Sequence, residues 1–273
     1  MDGLDYEAVG DPEHPTILFL HGFMGSSEDW KASIAALEGH FYCITVDLPG
    51  HGESLGLPPE GYTMEGATRS LADLLNELGV GRVTVVGYSM GGRLALYFAL
   101  RHPERCTGLF LESTSPGLED AEERAMRRQA DEERAAQLEA GDFEEFLKDW
   151  YRQPIFASLA RDEELLQQTI ESRRQNEPEE LARSLRSMGT GSQPTLWGEI
   201  SGLRPPALAV AGELDEKFIE IGRCMESRCM ESRCMESLSP EMRFAKVAGA
   251  SHNVHVEAPK AYLSLLRDFL ESL

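Results

Sequence analysis

The sequence predicts an α/β fold: a doubly wound, mostly parallel sheet with an inserted helical cap. Continuous apolar runs at residues 16–20, 42–46, 83–86 and 108–111 alternate with stretches of helical spacing at 70–78 and 93–100. Strands that are buried on both faces of a parallel sheet have such runs. Their alternation with helices is typical of a doubly wound sheet.

A change of character after residue 116 predicts the cap. From 118 to about 186 the chain is rich in Arg and Glu, has helical periodicity and contains few β-branched residues. Strand character returns at 207–210 and 243–247, and a last helix is expected over 259–271. We therefore predict a core of residues 1–116 and 204–273 and a cap of residues 117–203. An apolar stripe at helical spacing should pack the cap, formed by Leu138, Phe143, Phe146, Leu147 and Trp150.

Composition and charge exclude several classes of partner. The 273 residues carry a net charge of -21 at pH 7, which argues against nucleic acid and anionic membranes. No apolar run approaches the roughly 20 residues of a membrane span, and the acidic N-terminus lacks the pattern of a signal peptide. We expect a cytoplasmic protein, monomeric or weakly oligomeric. Cys43 and Cys106 lie in apolar runs and should be buried thiols, with no disulfide and no metal site.

One internal repeat stands out, Arg-Cys-Met-Glu-Ser three times in succession from 223 to 237. Five residues turn a helix by about 500°, so successive copies lie about 140° apart. We predict that no Met/Cys stripe forms and that the repeat is a lengthened surface helix or loop made by tandem duplication. Cys224, Cys229 and Cys234 should then be accessible.

The motif Gly87-Tyr88-Ser89-Met90-Gly91 follows an apolar run and precedes a helix, as the nucleophile elbow of α/β hydrolases requires. Ser89 is the predicted nucleophile. A second loop begins at His21, directly after the predicted strand at residues 16–20. In this fold the backbone amides of Phe23 and Met90 would form the oxyanion hole, whereas His21 should bond neighbouring backbone.

Asp215 and His252 follow the two last predicted strands, at the edge where open α/β sheets place catalytic groups. The chain order Ser, Asp, His is the one that this fold uses for its catalytic triad. Glu213 and His255 remain rival candidates for the carboxylate and the base. The loop that begins at Asp47 should shape the floor of the site without chemistry of its own.

Taken together, these motifs resemble the 2-succinyl-6-hydroxy-2,4-cyclohexadiene-1-carboxylate synthases, α/β-hydrolase-fold enzymes of menaquinone and phylloquinone biosynthesis. The resemblance extends over nearly the whole chain. Its discriminating parts are Arg93 within GGRLAL, the DWYRQP stretch at 149–154, and Gly189-Thr190-Gly191 before Gln193. It implies a carbon–oxygen lyase that eliminates pyruvate from a cyclohexene with three carboxylates, without a cofactor. Ser89, activated by His252, would be the base.

The resemblance also implies which residues bind this polycarboxylate substrate. They are Arg93, Arg127, Arg173, Tyr88 and Trp150. A slip in register could exchange the cap arginines for Arg124, Arg128 or Arg174, and each could instead pair with acids on a solvated helix face. An esterase or carbon–carbon hydrolase of the same fold is the main alternative, because fold does not fix function. A non-catalytic binding protein would usually have lost Ser89 or His252.

Overall fold

The computed structural model describes residues 3–233 and 241–273, with residues 232 and 233 described by their backbone alone. Its centre is a seven-stranded sheet with the spatial order β1-β3-β2-β4-β5-β6-β7. β1 pairs antiparallel with β3, and the other pairings are parallel. The strands are β1 (Tyr6–Val9), β2 (Thr16–Leu20), β3 (Tyr42–Val46), β4 (Val83–Tyr88), β5 (Cys106–Glu112), β6 (Ala207–Gly212) and β7 (Met242–Val247).

Helices cover both faces of the sheet, as the alternating pattern predicts. The helices of the first half are α1 (Lys31–Leu37), α2 (Met64–Glu77) and α3 (Met90–Arg101). Four more lie between β5 and β6: α4 (Ala121–Ala140), α5 (Phe143–Tyr151), α6 (Glu163–Arg173) and α7 (Pro178–Met188). The last three are α8 (Glu216–Arg233), α9 (Val254–Glu257) and α10 (Pro259–Glu271). The predicted doubly wound fold with an inserted helical segment is confirmed.

Alternate strand residues divide the core into two layers, because successive side chains of a strand point to opposite faces. Leu18 and Leu20 of β2 pack in a cluster with α2 and α3. Ile17 and Phe19 of the same strand pack on the other face, with α1 and α10. A third cluster joins the helices between β5 and β6. The cavity described below lies between this third cluster and the carboxyl edge of the sheet.

The predicted apolar stripe of the cap belongs to two helices rather than one. α4 ends at Ala140, and Asp142 caps α5 by accepting hydrogen bonds from the amides of Glu144 and Glu145. The Gly141-Asp142 pair separates the helices because Gly weakens a helix and Asp is a strong N-cap. Leu138 lies on α4, and the other four members of the stripe lie on α5.

The first two copies of the repeat lengthen α8, and most of their described side chains are exposed, as a surface helix requires. The predictions that no Met/Cys stripe forms and that Cys229 is accessible are wrong, because Met225 and Cys229 are buried in the core at 0% and 5% exposure. The two side chains share a face because they are four residues apart, although equivalent residues of successive copies are not. Cys224 is exposed, as predicted. Cys234 lies outside the described residues.

Two further findings concern the edge and the surface of the molecule. β1 was not anticipated, because three of its four residues are exposed and it contains no apolar run. No helix in the described part of the chain is long and apolar enough to cross a membrane.

Candidate active site

Ser89 lies at a sharp turn between β4 and α3. Its φ of 50° and ψ of -107° lie outside the regions that a serine ordinarily adopts. The glycines make this turn possible: a Cβ at Gly91 would collide with the carbonyl oxygen of Leu20, and one at Gly87 with the Gly92 backbone. The turn is the strained nucleophile elbow that the motif predicts.

A hydrogen-bonded chain joins Ser89 to two buried groups. The Nδ1 of His252 donates to Oδ2 of Asp215 at 2.8 Å, and its Nε2 lies 3.2 Å from Oγ of Ser89. With the Nδ1 proton directed at the carboxylate, Nε2 is free to accept the hydroxyl proton of the serine. The Phe218 ring, edge-on to the imidazole with centroids 4.6 Å apart, helps to fix its orientation.

The two rival residues lie elsewhere. Glu213 is exposed and forms an ion pair with Lys246 at 3.2 Å. His255 is buried, and its Nδ1 donates to Glu112 at 2.8 Å. Its ring also stacks on Trp30, with centroids 4.7 Å apart. The His255–Glu112 pair lies behind the elbow, because the carbonyl of Glu112 accepts the amide of Ser89.

The loop after β2 is held against the elbow. The amide of Gly91 donates to the carbonyl of His21 at 2.9 Å, and Phe23 and Met90 both line the same cavity. The amide of Met90 opens α3, where helical amides have no partner within the helix. The Nδ1 of His21 donates to the Gly22 carbonyl, and its Nε2 accepts from the amide of Leu48. Both nitrogens of His21 are therefore engaged by backbone.

A cavity of about 540 Å³ opens above Ser89 and His252. The described part of the chain lines it with six basic side chains, an unusual set for a protein of charge -21. They are Arg93, Arg127, Arg134, Arg173, Lys217 and Arg228. Four acidic side chains of the described residues line the cavity as well, Asp29, Glu119, Asp120 and Glu123, so basic groups are in excess there. The fields of more distant surface acids are screened beyond about 8 Å at physiological salt.

Arg93 is buried and bound only to neutral acceptors among its described hydrogen bonds. Its Nη1 donates to the carbonyl of Met188 at 2.7 Å and to Oε1 of Gln193 at 2.9 Å. Burial, followed by the positive charge of Arg127, lowers the pKa of Arg93 to about 9. The group still carries its proton at neutral pH. A carboxylate ligand would supply the counter-charge that these neutral acceptors do not.

The other two predicted arginines already bind carboxylates. The Nε of Arg127 donates to Asp131 at 2.7 Å, and its side chain is 34% exposed, facing the cavity. Arg173 is buried, donating to Asp29 at 2.6 Å and to the hydroxyl of Tyr151 at 3.2 Å. Arg173 therefore also connects α6 to the core.

The neighbouring arginines are directed away from the cavity. Arg124 donates to the carbonyl of Leu118, Arg128 to that of Gly191, and Arg174 pairs with two glutamates. None of the three lines the cavity.

Tyr88 and Trp150, the two aromatic residues assigned to substrate binding, both line the cavity. Burial, with a smaller effect of Glu112, raises the pKa of Tyr88 well above its ordinary value, so its hydroxyl keeps its proton. Trp150 packs against Phe23 with centroids 5.1 Å apart.

Three cavity-lining cations were missed in the sequence analysis: Arg134, Lys217 and Arg228. Arg134 lies seven residues after Arg127 on α4, so helical spacing could have revealed it. Arg228 belongs to the second copy of the repeat and pairs with Glu119 at 2.8 Å. Within the described residues, no group of His, Cys, Asp and Glu is placed to hold a metal ion.

This fold, with a Ser–His–Asp arrangement at the carboxyl edge of the sheet, defines a protein of the α/β-hydrolase class, and residues 15–259 match the family model described as alpha/beta hydrolase fold. A Bacillus subtilis protein, provisionally named as a 2-succinyl-6-hydroxy-2,4-cyclohexadiene-1-carboxylate synthase, is 36% identical over 276 residues. The match covers 100% of this chain and 97% of that protein. The synthase of that name from Serratia proteamaculans is 30% identical, covering 96% of this chain and 95% of its own.

The solved structure of MenH from S. aureus is similar with a TM-score of 0.89 and 32% identity, covering 100% of this chain and 99% of that one. The chain belongs to the family of the 2-succinyl-6-hydroxy-2,4-cyclohexadiene-1-carboxylate synthases.

Proposed function

We propose that the chain is a carbon–oxygen lyase of menaquinone or phylloquinone biosynthesis. It eliminates pyruvate from 2-succinyl-5-enolpyruvyl-6-hydroxy-3-cyclohexene-1-carboxylate and leaves 2-succinyl-6-hydroxy-2,4-cyclohexadiene-1-carboxylate. The observation that carries the proposal is the pairing of a Ser–His–Asp chain with a cavity lined by six basic side chains. Membership of the synthase family supports the same reaction.

The elimination begins with removal of the proton α to the succinyl ketone. Ser89, whose hydroxyl lies 3.2 Å from Nε2 of His252, is the proposed base, and the proton passes to the imidazole. The C–H electron pair forms the C2=C3 bond, the C3=C4 bond moves to C4=C5, and the C5–O bond breaks. The enolpyruvate that leaves takes up a proton and becomes pyruvate. Asp215 stabilises the imidazolium and holds its orientation.

Negative charge develops on the succinyl ketone oxygen as the proton leaves. The amides of Phe23 and Met90 are the proposed donors to that oxygen, since both residues line the cavity beside Ser89. Donors that are already in place lower the barrier without reorganising at the moment of reaction.

The substrate carboxylates are the proposed partners of Arg93, Arg127 and Arg173, with Tyr88 and Trp150 against the ring. Arg93 supports this most directly, because its described acceptors are neutral. An esterase acting on neutral substrates has no use for such converging cations, whereas a tricarboxylate does. Residues 117–203, which carry Arg127 and Arg173, act as the cap in this proposal. The free thiols at Cys43, Cys106 and Cys224 fit a reducing compartment such as the cytoplasm.

The purified enolpyruvyl intermediate tests the proposal. We expect stoichiometric pyruvate release, followed by a coupled lactate dehydrogenase assay, together with the near-ultraviolet absorbance of the new conjugated diene. p-Nitrophenyl acetate serves as the neutral comparison. Rapid hydrolysis of this ester without any pyruvate from the intermediate would replace the lyase with an esterase.

A further inference from the structure

Arg134 lies on the cavity-facing side of α4 together with Arg127 and Asp131. The three residues follow one another at spacings of four and three, which places them on one face of the helix. Arg127 and Arg134 both line the cavity, whereas the Asp131 side chain between them is only 3% exposed. This face therefore presents two guanidinium groups around one buried carboxylate.

The charges around Asp131 do not balance. Its Oδ1 lies 2.7 Å from Nε of Arg127 and 3.5 Å from Nη1 of Arg134, and its other oxygen accepts the amide of Gly191 at 3.4 Å. Arg93 is also close enough for its charge to interact with Asp131 and Arg127. Three positive groups therefore share Asp131. Glu123, one turn before Arg127 on α4, also lines the cavity, and positive groups still outnumber negative ones here.

The Gly189-Thr190-Gly191 motif explains how this arrangement is packed. A Cβ at Gly189 would lie 2.6 Å from Oδ2 of Asp131, so a larger residue would displace the carboxylate. Thr190 lines the cavity, and Gln193 beyond it holds Arg93. The motif thus packs beside both Asp131, which lies between Arg127 and Arg134, and Arg93, on the same wall of the cavity.

The Arg134 guanidinium has a donor without a hydrogen-bond partner. Its Nη1 is buried and makes no hydrogen bond, since the ion pair to Asp131 at 3.5 Å is too long for one. A buried charged donor without an acceptor is costly. The rest of the guanidinium belongs to a side chain that is 32% exposed and lines the cavity, and it can donate to a carboxylate oxygen there.

A second cavity adjoins the first at Arg134. It has a volume of about 360 Å³ and shares Arg134, Trp150 and Gln153 with the first. Its remaining walls include the carboxylates of Asp142, Glu145 and Asp149. These acids repel an anion. A substrate carboxylate in the first cavity would therefore stay at Arg134 and would not move into the second cavity.

We propose that Arg134 is a further substrate-binding residue, which with Arg93 and Arg127 forms an anion subsite for the distal carboxylate of the succinyl arm. The inference rests on the proposed function, from which the succinyl arm is taken. It assigns the far end of the cavity to that arm and leaves the region near His252 to the enolpyruvyl group.

The test uses succinate as the probe and the neutral isostere succinamide as its matched ligand, at constant ionic strength. Their dissociation constants are measured by calorimetry, supported by ligand-dependent thermal unfolding. Three variants are compared with the unsubstituted protein: Arg134→Gln, Arg134→Lys and, as a control, Arg152→Gln. Arg152 is a cap arginine whose side chain is 74% exposed, and it does not line the cavity.

We expect Arg134→Gln to weaken succinate binding about tenfold or more, as loss of a charged hydrogen bond does. The succinate affinity of Arg134→Lys should lie between those of Arg134→Gln and the unsubstituted protein, because lysine keeps the charge but not the planar fork. Arg152→Gln should bind succinate within twofold of the unsubstituted protein. The affinity for succinamide should also stay within twofold in every variant. Succinate binding that Arg134→Gln leaves unchanged, equal loss of both ligands, or no saturable binding of succinate to the unsubstituted protein would overturn the subsite.

Pyruvate release from the intermediate is measured separately, so that the two proposals can fail independently. A protein that binds succinate through Arg134 but releases no pyruvate keeps the subsite and loses the lyase. A lyase whose KM and succinate affinity are unaffected by Arg134→Gln keeps the reaction and loses the subsite.

Discussion

The guanidinium of Arg173 donates to the carboxylate of Asp29 at 2.6 Å, across 144 positions of sequence. Arg173 ends α6, and Asp29 lies in the segment after β2, so the pair connects the inserted helices with the core. Both side chains are less than 10% exposed. Asn176 strengthens the same junction by donating to the carbonyl of Met24 at 2.8 Å. Arg173, which is proposed to bind substrate, therefore also stabilises the fold.

Asp29→Asn should destabilise the protein in a pH-dependent way. Burial by itself would raise the pKa of Asp29, but Arg173 outweighs it and the pKa lies below its ordinary value. The stability from the carboxylate is thus complete above the unfolded pKa of about 3.9 and is lost as pH falls through the lower folded pKa. Removing one partner of a buried pair typically costs about 3–5 kcal/mol. Urea unfolding measures the difference in free energy of unfolding between Asp29→Asn and the unsubstituted protein. This difference should be constant above about pH 5 and should become smaller below about pH 4.

Asp149→Asn is the matched control, because the Asp149–Arg152 pair is exposed on both sides. The free energy of unfolding of Asp149→Asn should stay within about 0.5 kcal/mol of that of the unsubstituted protein at any of these pH values. An Asp29→Asn penalty that is small, or that persists unchanged at pH 3, would contradict the buried-pair interpretation.

Ser89→Ala should abolish most turnover while leaving the fold intact. Loss of a triad nucleophile costs several orders of magnitude in kcat, and we expect at least a 10³-fold fall in pyruvate release. Circular dichroism and thermal unfolding check the fold. Ser70→Ala, a helix serine that does not line the cavity, should behave as the unsubstituted protein. More than a tenth of normal activity in a folded Ser89→Ala protein would remove Ser89 from the mechanism.

Asp215→Asn should reduce kcat strongly but less than Ser89→Ala. In the proposed mechanism the carboxylate acts through His252, with which it forms a hydrogen bond of 2.8 Å, and it does not itself take the substrate proton. A fall of about 10²- to 10⁴-fold is expected, with KM little changed, because His252 stays in place without the carboxylate that orients it. Steady-state kinetics with the intermediate measure both constants. An unchanged kcat would mean that Asp215 is structural only.

Arg93→Lys should separate the charged substrate from a neutral one. Lysine keeps the charge but has a single nitrogen. It cannot both replace Nη1, which donates to Met188 and Gln193, and present the further donors that would bind a carboxylate. Truncating a buried charged pair costs about 2–5 kcal/mol, so kcat/KM for the intermediate should fall by roughly 30- to several thousand-fold. Weak hydrolysis of p-nitrophenyl acetate should barely change. Equal losses on both substrates would assign Arg93 a structural role.

Thiol labelling should distinguish the cysteines of the repeat. Cys224 is exposed and should react with iodoacetamide in the native protein. Cys229 should not, since it is buried and burial raises its thiol pKa to about 11. Cys43 and Cys106, whose pKa burial raises to about 12, serve as internal controls. Peptide mapping by mass spectrometry reads each site, and modification of Cys229 as fast as Cys224 would contradict its placement in the core.

Much of the fold, and the placement of Ser89, Asp215 and His252 at one edge of the sheet, could be predicted because the signals are local. The inner parallel strands contain continuous apolar runs, and Ser89, Asp215 and His252 each follow a predicted strand at the same edge of the sheet. β7, which precedes His252, is weaker in this respect because it contains the exposed Arg243 and Lys246. β1 could not be found in this way, because an exposed edge strand needs no apolar face. The rule that identified the other strands depends on burial.

Contacts between distant residues were beyond the sequence. Glu112 and His255 are 143 positions apart, and neither neighbourhood indicates that a buried carboxylate meets an imidazole there. The repeat was misjudged for a different reason. Comparing equivalent residues of successive copies predicts no stripe, whereas the buried pair combines Met225 of one copy with Cys229 of the next.

The position of the repeat within α8 bears on how its length can change. The described contacts come from the first two copies: Met225 and Cys229 in the core, Glu226 accepting the amide of Phe244, and Arg228 on Glu119. Because the copies are identical, loss or gain of one unit by replication slippage leaves the same residues at 223–232. The residues that make these contacts are therefore the same at any copy number of two or more, and related strains are expected to differ in repeat length before they differ in the helix that precedes it.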